Sequence, residues 1–422
     1  MTAFDVVVIG AGPAGMAAAS TAAHQGCSVC LIDDNASCGG QIWRNCELHA
    51  KHAVQPQSFI HLRQSLKNER VDLRTGTTVV AQPAPKVLRI ETGSGFEDVH
   101  YRKLILATGA RELFLPFPGW TLPGVMGVGG LQAMTKAGLP IRGKRVVLAG
   151  SGPLLLAVAA ALSREGARVL GIFEQAPFPK LAKFCMQLLQ YPGKLRDGAV
   201  YRAATFTTSF RTASWPVRAL GDRLLQSVDI SINGSIRNFP CDYLGCAFHL
   251  VPNLELPRLL GCEVQDGFVL VNNLQETSVK EVYCVGEPTG IGGLDKALCE
   301  GEIAGLACAG RSATHLSRKR DRHAQFAQHL NRAFSLRSEL AGLAEPGTLI
   351  CRCEDVPRSA LAEARSWREA KLHTRCGMGP CQGRICGPAS ELLFRWDSAQ
   401  VRPPVFPARV STLAGAVETG TK

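Results

Sequence analysis

The stretch Phe4-Asp-Val-Val-Val-Ile-Gly-Ala-Gly-Pro-Ala-Gly-Met-Ala-Ala-Ala19 decides the fold. Val6 to Ile9 is an unbroken β-branched run, the pattern of a strand buried on both faces in a parallel sheet. It ends in Gly10-x-Gly12-x-x-Gly15, with Pro13 and Ala14 at the variable positions and an alanine-rich segment suited to a helix behind. Gly10 permits the tight turn, Gly12 lets backbone approach a pyrophosphate, and Gly15 lets helix and strand lie close. The helix N-terminus then offers free N–H groups and its positive dipole end to phosphate. A second apolar run, Cys27-Ser-Val-Cys-Leu-Ile32, leads into Asp33 and Asp34. Asp33 is placed to accept a bond from an adenosine ribose hydroxyl. Glycine-rich turns alone are weak evidence. Strand, glycines, helix, second strand and acid in this order make a dinucleotide site the expectation.

Working outward, 422 residues allow two or three domains with real cores. A hydrophobic content of 46% with 43 glycines fits an α/β nucleotide-binding protein. No apolar run reaches membrane-spanning length. The first strand opens at residue 4, leaving no room for a charged region and cleavage site, so no signal peptide and a cytoplasmic location are expected. The formal charge of +12 is concentrated in part at Arg311 to Arg322, which no aromatic residue interleaves. A solvated helix face or a partner-subunit surface is expected there, not nucleic-acid binding.

The loop Cys38-Gly-Gly-Gln-Ile-Trp-Arg44 carries a glycine pair that lets backbone pass close over a flat ligand, so Gly40, Gln41 and Arg44 join the candidate site. Residues 71 to 106 alternate as short strands and end in Ala107-Thr108-Gly109. A second nucleotide-type unit opens at Arg142-Gly-Lys-Arg-Val-Val-Leu-Ala-Gly150, with Gly150-Ser-Gly152 turning into a helix and Arg168 to Glu174 supplying a strand that ends in an acid. Glu174 would suit NAD(H) over NADP(H), since no arginine adjoins it for a 2′-phosphate. The third glycine position holds Leu155, so this second site is expected to be altered or lost. Residues 196 to 240 read as further strands of this lobe. Gln275 to Glu287 reads as a strand ending in Gly286-Glu287, and Gly290-Ile-Gly292-Gly293 opens a helix whose dipole can face a ligand.

Sixteen cysteines are many for a reducing compartment, where clusters point to metal or redox work. Eleven are scattered over residues 27 to 308 and read as small core residues. Cys27-x-x-Cys30 enters a buried strand and is not expected to be a catalytic pair. The other five form Cys351-Arg-Cys353 and Cys376-Gly-Met-Gly-Pro-Cys381-Gln-Gly-Arg-Ile-Cys386. Zinc favours C-x₂₋₄-C pairs. A C-x-C opening with a later glycine-rich pair suits an iron–sulfur cluster, whose sulfides also accept backbone N–H bonds. The segment resembles the [2Fe–2S] domain of bacterioferritin-associated ferredoxin, which implies Cys351, Cys353, Cys381 and Cys386 as ligands of a [2Fe–2S] cluster, with Cys376 in the wall; zinc or a single iron, or bare thiols, are the alternatives.

Ala-Thr-Gly at 107–109 and Gly286-Glu287 resemble the two FAD motifs of the glutathione- and thioredoxin-reductase superfamily. Glu287 stands where most of that superfamily has Asp. The resemblance implies that Thr108, Gly109, Gly286, Glu287 and Gly292 contact FAD. The cysteine segment departs from the ferredoxin domain in its second pair, which is C-x₄-C here. The order of two glycine fingerprints, Gly39-Gly-Gln-Ile-Trp-Arg44, Val251-Pro-Asn-Leu-Glu-Leu256, Thr289-Gly-Ile-Gly-Gly293, Cys351-Arg-Cys-Glu-Asp-Val356 and Gly377-Met-Gly-Pro-Cys-Gln-Gly-Arg384 spans nearly the whole chain. It resembles the α (A) subunit of opine oxidases, D-hydroxyproline dehydrogenases and hydrogen cyanide synthases.

That resemblance implies an α/β fold with two Rossmann-like lobes and a small C-terminal iron–sulfur domain. The expected divisions are an FAD-binding domain at 1–114 and 248–310 and a second nucleotide domain at 115–247. A basic helical linker at 311–347, a ferredoxin-like domain at 348–398 and an extended tail at 399–422 complete the chain. The resemblance further implies a glycine- or sarcosine-oxidase-like β subunit that oxidises an amine C–N bond, a small ferredoxin-like subunit, and FMN between α and β. Some relatives hold NAD or ATP in place of FAD. A self-sufficient NADH-dependent reductase and a structural subunit with a non-redox nucleotide are the competing readings.

Overall fold

A computed structural model describes residues 3–44, 56–398 and 401–415. The chain forms two compact units, one from residues 1–111, 252–328 and 399–422, the other from 112–251 and 329–398.

The first unit is built on the opening strand, Ala3–Ile9. It pairs in parallel with Val29–Ile32 on one side and Phe96–Leu106 on the other, with Val8 level with Leu31 and Ile105. Val71–Arg74 extends one edge in parallel, Val282–Cys284 lies parallel on Phe96–Leu106, and an antiparallel meander of Val87–Glu91 and Thr78–Ala84 completes the sheet. Val6 and Val8 enter one core with Leu31 and Ile105, while Val7 and Ile9 enter another with Cys30 and Ile32. Burial of both faces is why this strand tolerates no polar alternation. Cys27 packs on the first core and Cys30 lies in the second, so they are not a redox pair.

Two helices, Pro13–His24 and Leu294–Cys308, cross at van der Waals contact. A Cβ on Gly301 would lie 2.2 Å from the Ala14 carbonyl oxygen, and one on Gly305 would lie 2.7 Å from that of Ala18. The tail differs from the extended segment expected. Its residues 401–415 lie against this chain's own meander and include a short helix, Val410–Ala414. The Glu91 carboxylate accepts from the Arg409 N–H (2.9 Å) and the Thr412 hydroxyl (2.5 Å), and Arg89 donates to the Thr412 and Gly415 carbonyls. An acid at the helix start is what orders this Pro-rich run. The remainder of the tail lies outside the described residues.

In the second unit five parallel strands run in the order Ser209–Arg211, Arg168–Glu174, Arg145–Gly150, Tyr243–Ala247, Val125–Gly127. An antiparallel meander follows (Ser214–Leu220, Ser227–Ile232, Ser235–Pro240). Residues 192–204 are a helix, Pro192–Ala204, and not the start of the strands expected from residue 196. Pro192 sits in the first turn, where its missing N–H costs nothing. The basic linker is helical over Ser317–Ala333, then forms a short 3₁₀ turn, Ser338–Gly342, whose Leu340 is buried in the second unit's core. The cysteine segment has its own small core around Ile350, Leu361, Trp367 and Trp396, with helices Trp367–Thr374 and Cys386–Phe394. Among the described residues no helix is long and apolar enough to cross a membrane.

Candidate functional site

The first fingerprint closes as its glycines require. Gly10 has φ +102°, and a Cβ there would lie 2.2 Å from the Ala107 carbonyl oxygen. A Cβ on Gly15 would lie 1.8 Å from the Gly10 oxygen. Gly12 is extended (φ −73°, ψ −178°) and the helix starts at Pro13, aiming its N-terminus over the loop. Asp33 is buried, accepting from the Ala11 N–H (2.5 Å) and from the backbone and amide of Asn35 (2.8 Å each). Desolvation raises the pKa of neighbouring Asp34, and the Asp33 charge adds to the effect.

The second glycine loop folds back onto this turn. The Gly39 N–H bonds the Ala11 carbonyl (2.8 Å), and a Cβ on Gly40 would lie 2.9 Å from the Gly12 Cα. Trp43 is buried edge-on to Phe59, which anchors the loop. Arg44 donates to the Asn35 side chain (3.3 Å), and Gln41 is exposed. Thr108 and Gly109 are braced by Asn253, which bonds Thr108 through both its carbonyl and its side chain and donates its N–H to Gly109.

A Cβ on Gly286 (φ +83°) would lie 3.1 Å from the Ala14 Cβ, so the return strand ends at the same helix N-terminus. Fingerprint, glycine loop and return strand thus converge within the first unit. Glu287 is a special case. Its carboxylate accepts the N–H groups of Gly292 (3.2 Å) and Gly293 (2.9 Å), capping the helix that follows. Burial raises its pKa, against the pull of Lys296. Beneath it lies an ion pair that is absent from the sequence-based candidates: Lys296 and Glu300 (2.8 Å), both buried. Lys296 also donates to the Gly286 carbonyl and Thr289, and Glu300 accepts from the Gly286 N–H and Thr289. An acid–base pair spaced i, i+4 on this helix was the available signal.

In the second unit Gly150 has φ +134°, and a Cβ there would meet the Ala247 carbonyl at 2.0 Å. Leu155 is fully buried among Val128, Leu148 and Ile172. The Glu174 carboxylate is 1% exposed and accepts from the Gly152 N–H (2.7 Å), the Ala176 N–H (2.8 Å) and the Ser151 hydroxyl (3.1 Å). Burial lifts its pKa to about 7 despite these bonds.

Three cysteine sulfurs, those of Cys351, Cys376 and Cys386, lie within 4.8 Å of one another and are buried. Cys381, half-buried, reaches Cys386 and the exposed Cys353. All five thiols therefore form one connected group, and Cys376 belongs to it more closely than its spacing suggested. Contacts from Cys376 and Cys386, with the Gly377 N–H at 3.5 Å, pull the Cys351 thiol down to about 2. Cys386 pulls Cys381 down to about 5. The same sulfur–sulfur contacts raise the thiols of Cys376 and Cys386, so the protons are shared within the group. This set of adjoining sulfur donors fits an iron–sulfur centre or a single thiophilic metal. Gly377 (φ +76°) and Gly383 (φ +78°) are closed in by the Trp367 ring, at 2.5 and 3.0 Å from a Cβ.

Residues 4–304 match the family described as pyridine nucleotide-disulphide oxidoreductase. The chain belongs to that family. It is accordingly an oxidoreductase of the flavoprotein class. Over 92% of each chain it is 30% identical to hydrogen cyanide synthase subunit HcnB of Pseudomonas aeruginosa. It is also 30% identical to an opine oxidase subunit of Rhizobium meliloti, over 99% of this chain and 100% of that one. Among solved structures it resembles an L-proline dehydrogenase from P. horikoshii (TM-score 0.68, 17% identity, 98% of this chain and 80% of that one). It also resembles T. acidophilum thioredoxin reductase (TM-score 0.57, 20% identity, 74% and 99%). At these identities the structural matches bear on the fold, which is the two-lobed reductase fold expected. The opine oxidase and cyanide synthase resemblance drawn from the motifs is the one found.

Proposed function

We propose that this chain is the electron-transferring α subunit of a multi-subunit flavin-dependent dehydrogenase acting on an amino acid or opine. The supporting observation is the combination, in one chain, of a convergent nucleotide site and a five-thiol cluster site. Its full-length relatives at 30% identity are named as subunits of a cyanide synthase and an opine oxidase. Oxidising an amine C–N bond removes two electrons and two protons, and a β subunit of glycine- or sarcosine-oxidase type supplies that pocket and its flavin. In this chain Gly10, Gly12, Gly15, Asp33, Gly40, Thr108, Gly109 and Gly286 hold FAD, Cys351, Cys353, Cys381 and Cys386 hold a [2Fe–2S] cluster, and FMN lies at the subunit interface. The cluster's chemistry is one-electron transfer. A small ferredoxin-like subunit completes the complex.

The test is dye-linked turnover of opines, hydroxyproline and glycine by this chain, by a glycine-oxidase-like partner, and by the two co-expressed. Turnover is expected from the complex. If this chain alone turns over as fast as the complex, the subunit reading fails.

A second reading of the nucleotide is favoured by Glu287. Its carboxylate already takes the Gly292 and Gly293 N–H groups that would otherwise be available to a flavin ring. ATP or NAD, whose adenosine and phosphates need only the fingerprint side, fits that arrangement. Heat-released ligand separates the two: a yellow flavin supports FAD, and a colourless adenine nucleotide supports the second reading.

A further inference from the structure

We infer that the second dinucleotide fold has become a cradle for this chain's own residues 334–337 and takes no dinucleotide. The inference stands on the second unit alone and does not depend on the amine-dehydrogenase reading.

The backbone of the turn carries the first part of the argument. Gly12 of the first fingerprint is extended, whereas the matching Gly152 has φ +102°. The helix behind it opens at Leu154, one position later than its counterpart at Pro13. In the first lobe the acid takes the N–H of Ala11; in the second it takes the N–H of Gly152 itself. That N–H belongs to the glycine whose backbone the fingerprint brings to a pyrophosphate. Here it is taken by the Glu174 side chain and is not free for one.

Glu174 supplies the second part. Both of its oxygens are engaged, and it is 1% exposed. Asp33 of the first lobe is filled in the same way, so what separates the two acids is the N–H each takes: that of Ala11 in the first lobe, and in the second that of Gly152, the glycine meant for a pyrophosphate.

The third part is what fills the place. The Ser151 hydroxyl lies 3.1 Å from both the Phe334 carbonyl and the Glu174 carboxylate and shares its one proton between them. Gln175, fully buried, donates to the Ser335 carbonyl (3.2 Å) and the Ser151 hydroxyl (2.9 Å), and accepts from the Arg337 N–H (3.2 Å). Lys180 bonds the Ser335 hydroxyl (2.9 Å). The Phe334 ring stands edge-on to Phe184 at 5.4 Å, and the Arg337 guanidinium covers Trp215 at 5.0 Å. Ser151 belongs to the glycine turn and Gln175 directly follows the second strand's acid, so these contacts occupy the fingerprint's own rim.

The cradle has a use. Residues 334–337 lead directly into the cysteine segment, whose root is fixed further by the Trp120 indole on the Leu349 carbonyl (2.7 Å) and an Arg218–Glu345 ion pair. The lobe thus serves as the platform on which the cysteine segment is mounted.

Hydrogen–deuterium exchange on the full chain tests this, with and without millimolar NADH or NADPH. The Arg337 amide and those of 150–156 are expected to exchange slowly and to ignore both nucleotides. Gln175→Ala should speed exchange at 335–337 by about tenfold, the loss of roughly 1.4 kcal/mol of local protection. Ser151→Ala, which removes one hydroxyl, gives a milder rise if the first variant does not fold. Solvent-like exchange at Arg337 in the wild type, or slowing at 150–156 by either nucleotide, overturns the inference. Protection confined to 9–16 is nucleotide bound in the first lobe and leaves the inference standing.

Discussion

Gly301→Ala probes the seam that aims the phosphate-facing helix. The added methyl would lie 2.2 Å from the Ala14 carbonyl oxygen and 3.0 Å from the Ala17 Cβ. Non-bonded heavy atoms settle at about 3.5 Å, so the two helices must part by about an ångström. Both are backbone-anchored, and Ala14 sits in the first turn over the glycine loop, so the strain cannot be shed by a rotamer change. Overpacking of this kind costs about 1–3 kcal/mol. For a unit of this size that lowers the melting temperature by about 2–4 °C per kcal/mol. The helix N-terminus moves with it. Losing one hydrogen bond to a charged phosphate costs about 1.5–3 kcal/mol, so nucleotide affinity should fall by about tenfold to a hundredfold. The assay is nucleotide retained per chain after dialysis, with thermal melts of the stripped protein. Gly198→Ala is the control: that glycine lies in the helix Pro192–Ala204 with open space around it. It should gain about 0.4–1 kcal/mol and leave nucleotide content unchanged. A Gly301→Ala protein that keeps its nucleotide and melts with the wild type would refute the reasoning.

Iron and acid-labile sulfide should each approach about two per chain. Cys381→Ser should lose both, whereas Cys376→Ser should keep the iron and shift its absorption spectrum. Iron lost from Cys376→Ser but kept in Cys353→Ser would reassign the ligands. Lys296→Ala strands the buried Glu300 carboxylate and should cost about 3–5 kcal/mol, while Lys296→Met with Glu300→Leu should recover most of it; denaturant melts of all three decide. Glu174 has a folded pKa of about 7 against an ordinary 4.5, so the native state holds its proton longer than the unfolded chain. Its contribution to stability is complete below pH 4.5 and is lost as pH rises towards 7, by about 3 kcal/mol in all. Glu174→Gln should flatten that part of the stability–pH curve, and an unchanged slope would show that Glu174 does not titrate there.

What is legible in the sequence is whatever depends on neighbours in the chain. The first fingerprint needs glycine at 10 and 15 because the nearest obstacles are backbone oxygens of the same turn and the adjoining strand, and local spacing reports that. The Cys27–Cys30 pair can be dismissed from sequence because strand alternation is local too. Residues 196–204, expected to open a run of strands, instead close the helix Pro192–Ala204. Proline in a first turn and glycine on a helix surface cost little once the surroundings supply the rest. Cys376 falls outside the expected ligand set because the ferredoxin resemblance is met by four other cysteines. Only the fold of residues 367–386 brings it against Cys351 and Cys386. The Lys296–Glu300 pair and the Glu287 cap are local in spacing, but the burial of Lys296 and Glu300 depends on where helices meet, which no window of sequence contains.

The two fingerprints show how one residue separates a site from its relic. At Gly15 a Cβ would collide with the Gly10 oxygen at 1.8 Å, so a helix that starts at Pro13 and leaves Gly12 extended can exist only with glycine there. Leu155 cannot occupy that place. Its side chain goes into the core beside Val128, Leu148 and Ile172. The helix opens at Leu154, and Gly152 takes up the change at φ +102°. Once Gly152 turns, its N–H meets Glu174 and is no longer available to a pyrophosphate. A buried carboxylate with its acceptors filled by its own loop leaves the polar rim, Ser151 and Gln175, facing whatever the chain brings to it. Residues 334–337 bring two carbonyls and an N–H, which satisfy that rim without a ligand. Leu155→Gly on its own would therefore not restore nucleotide binding, because the rim is already satisfied by backbone.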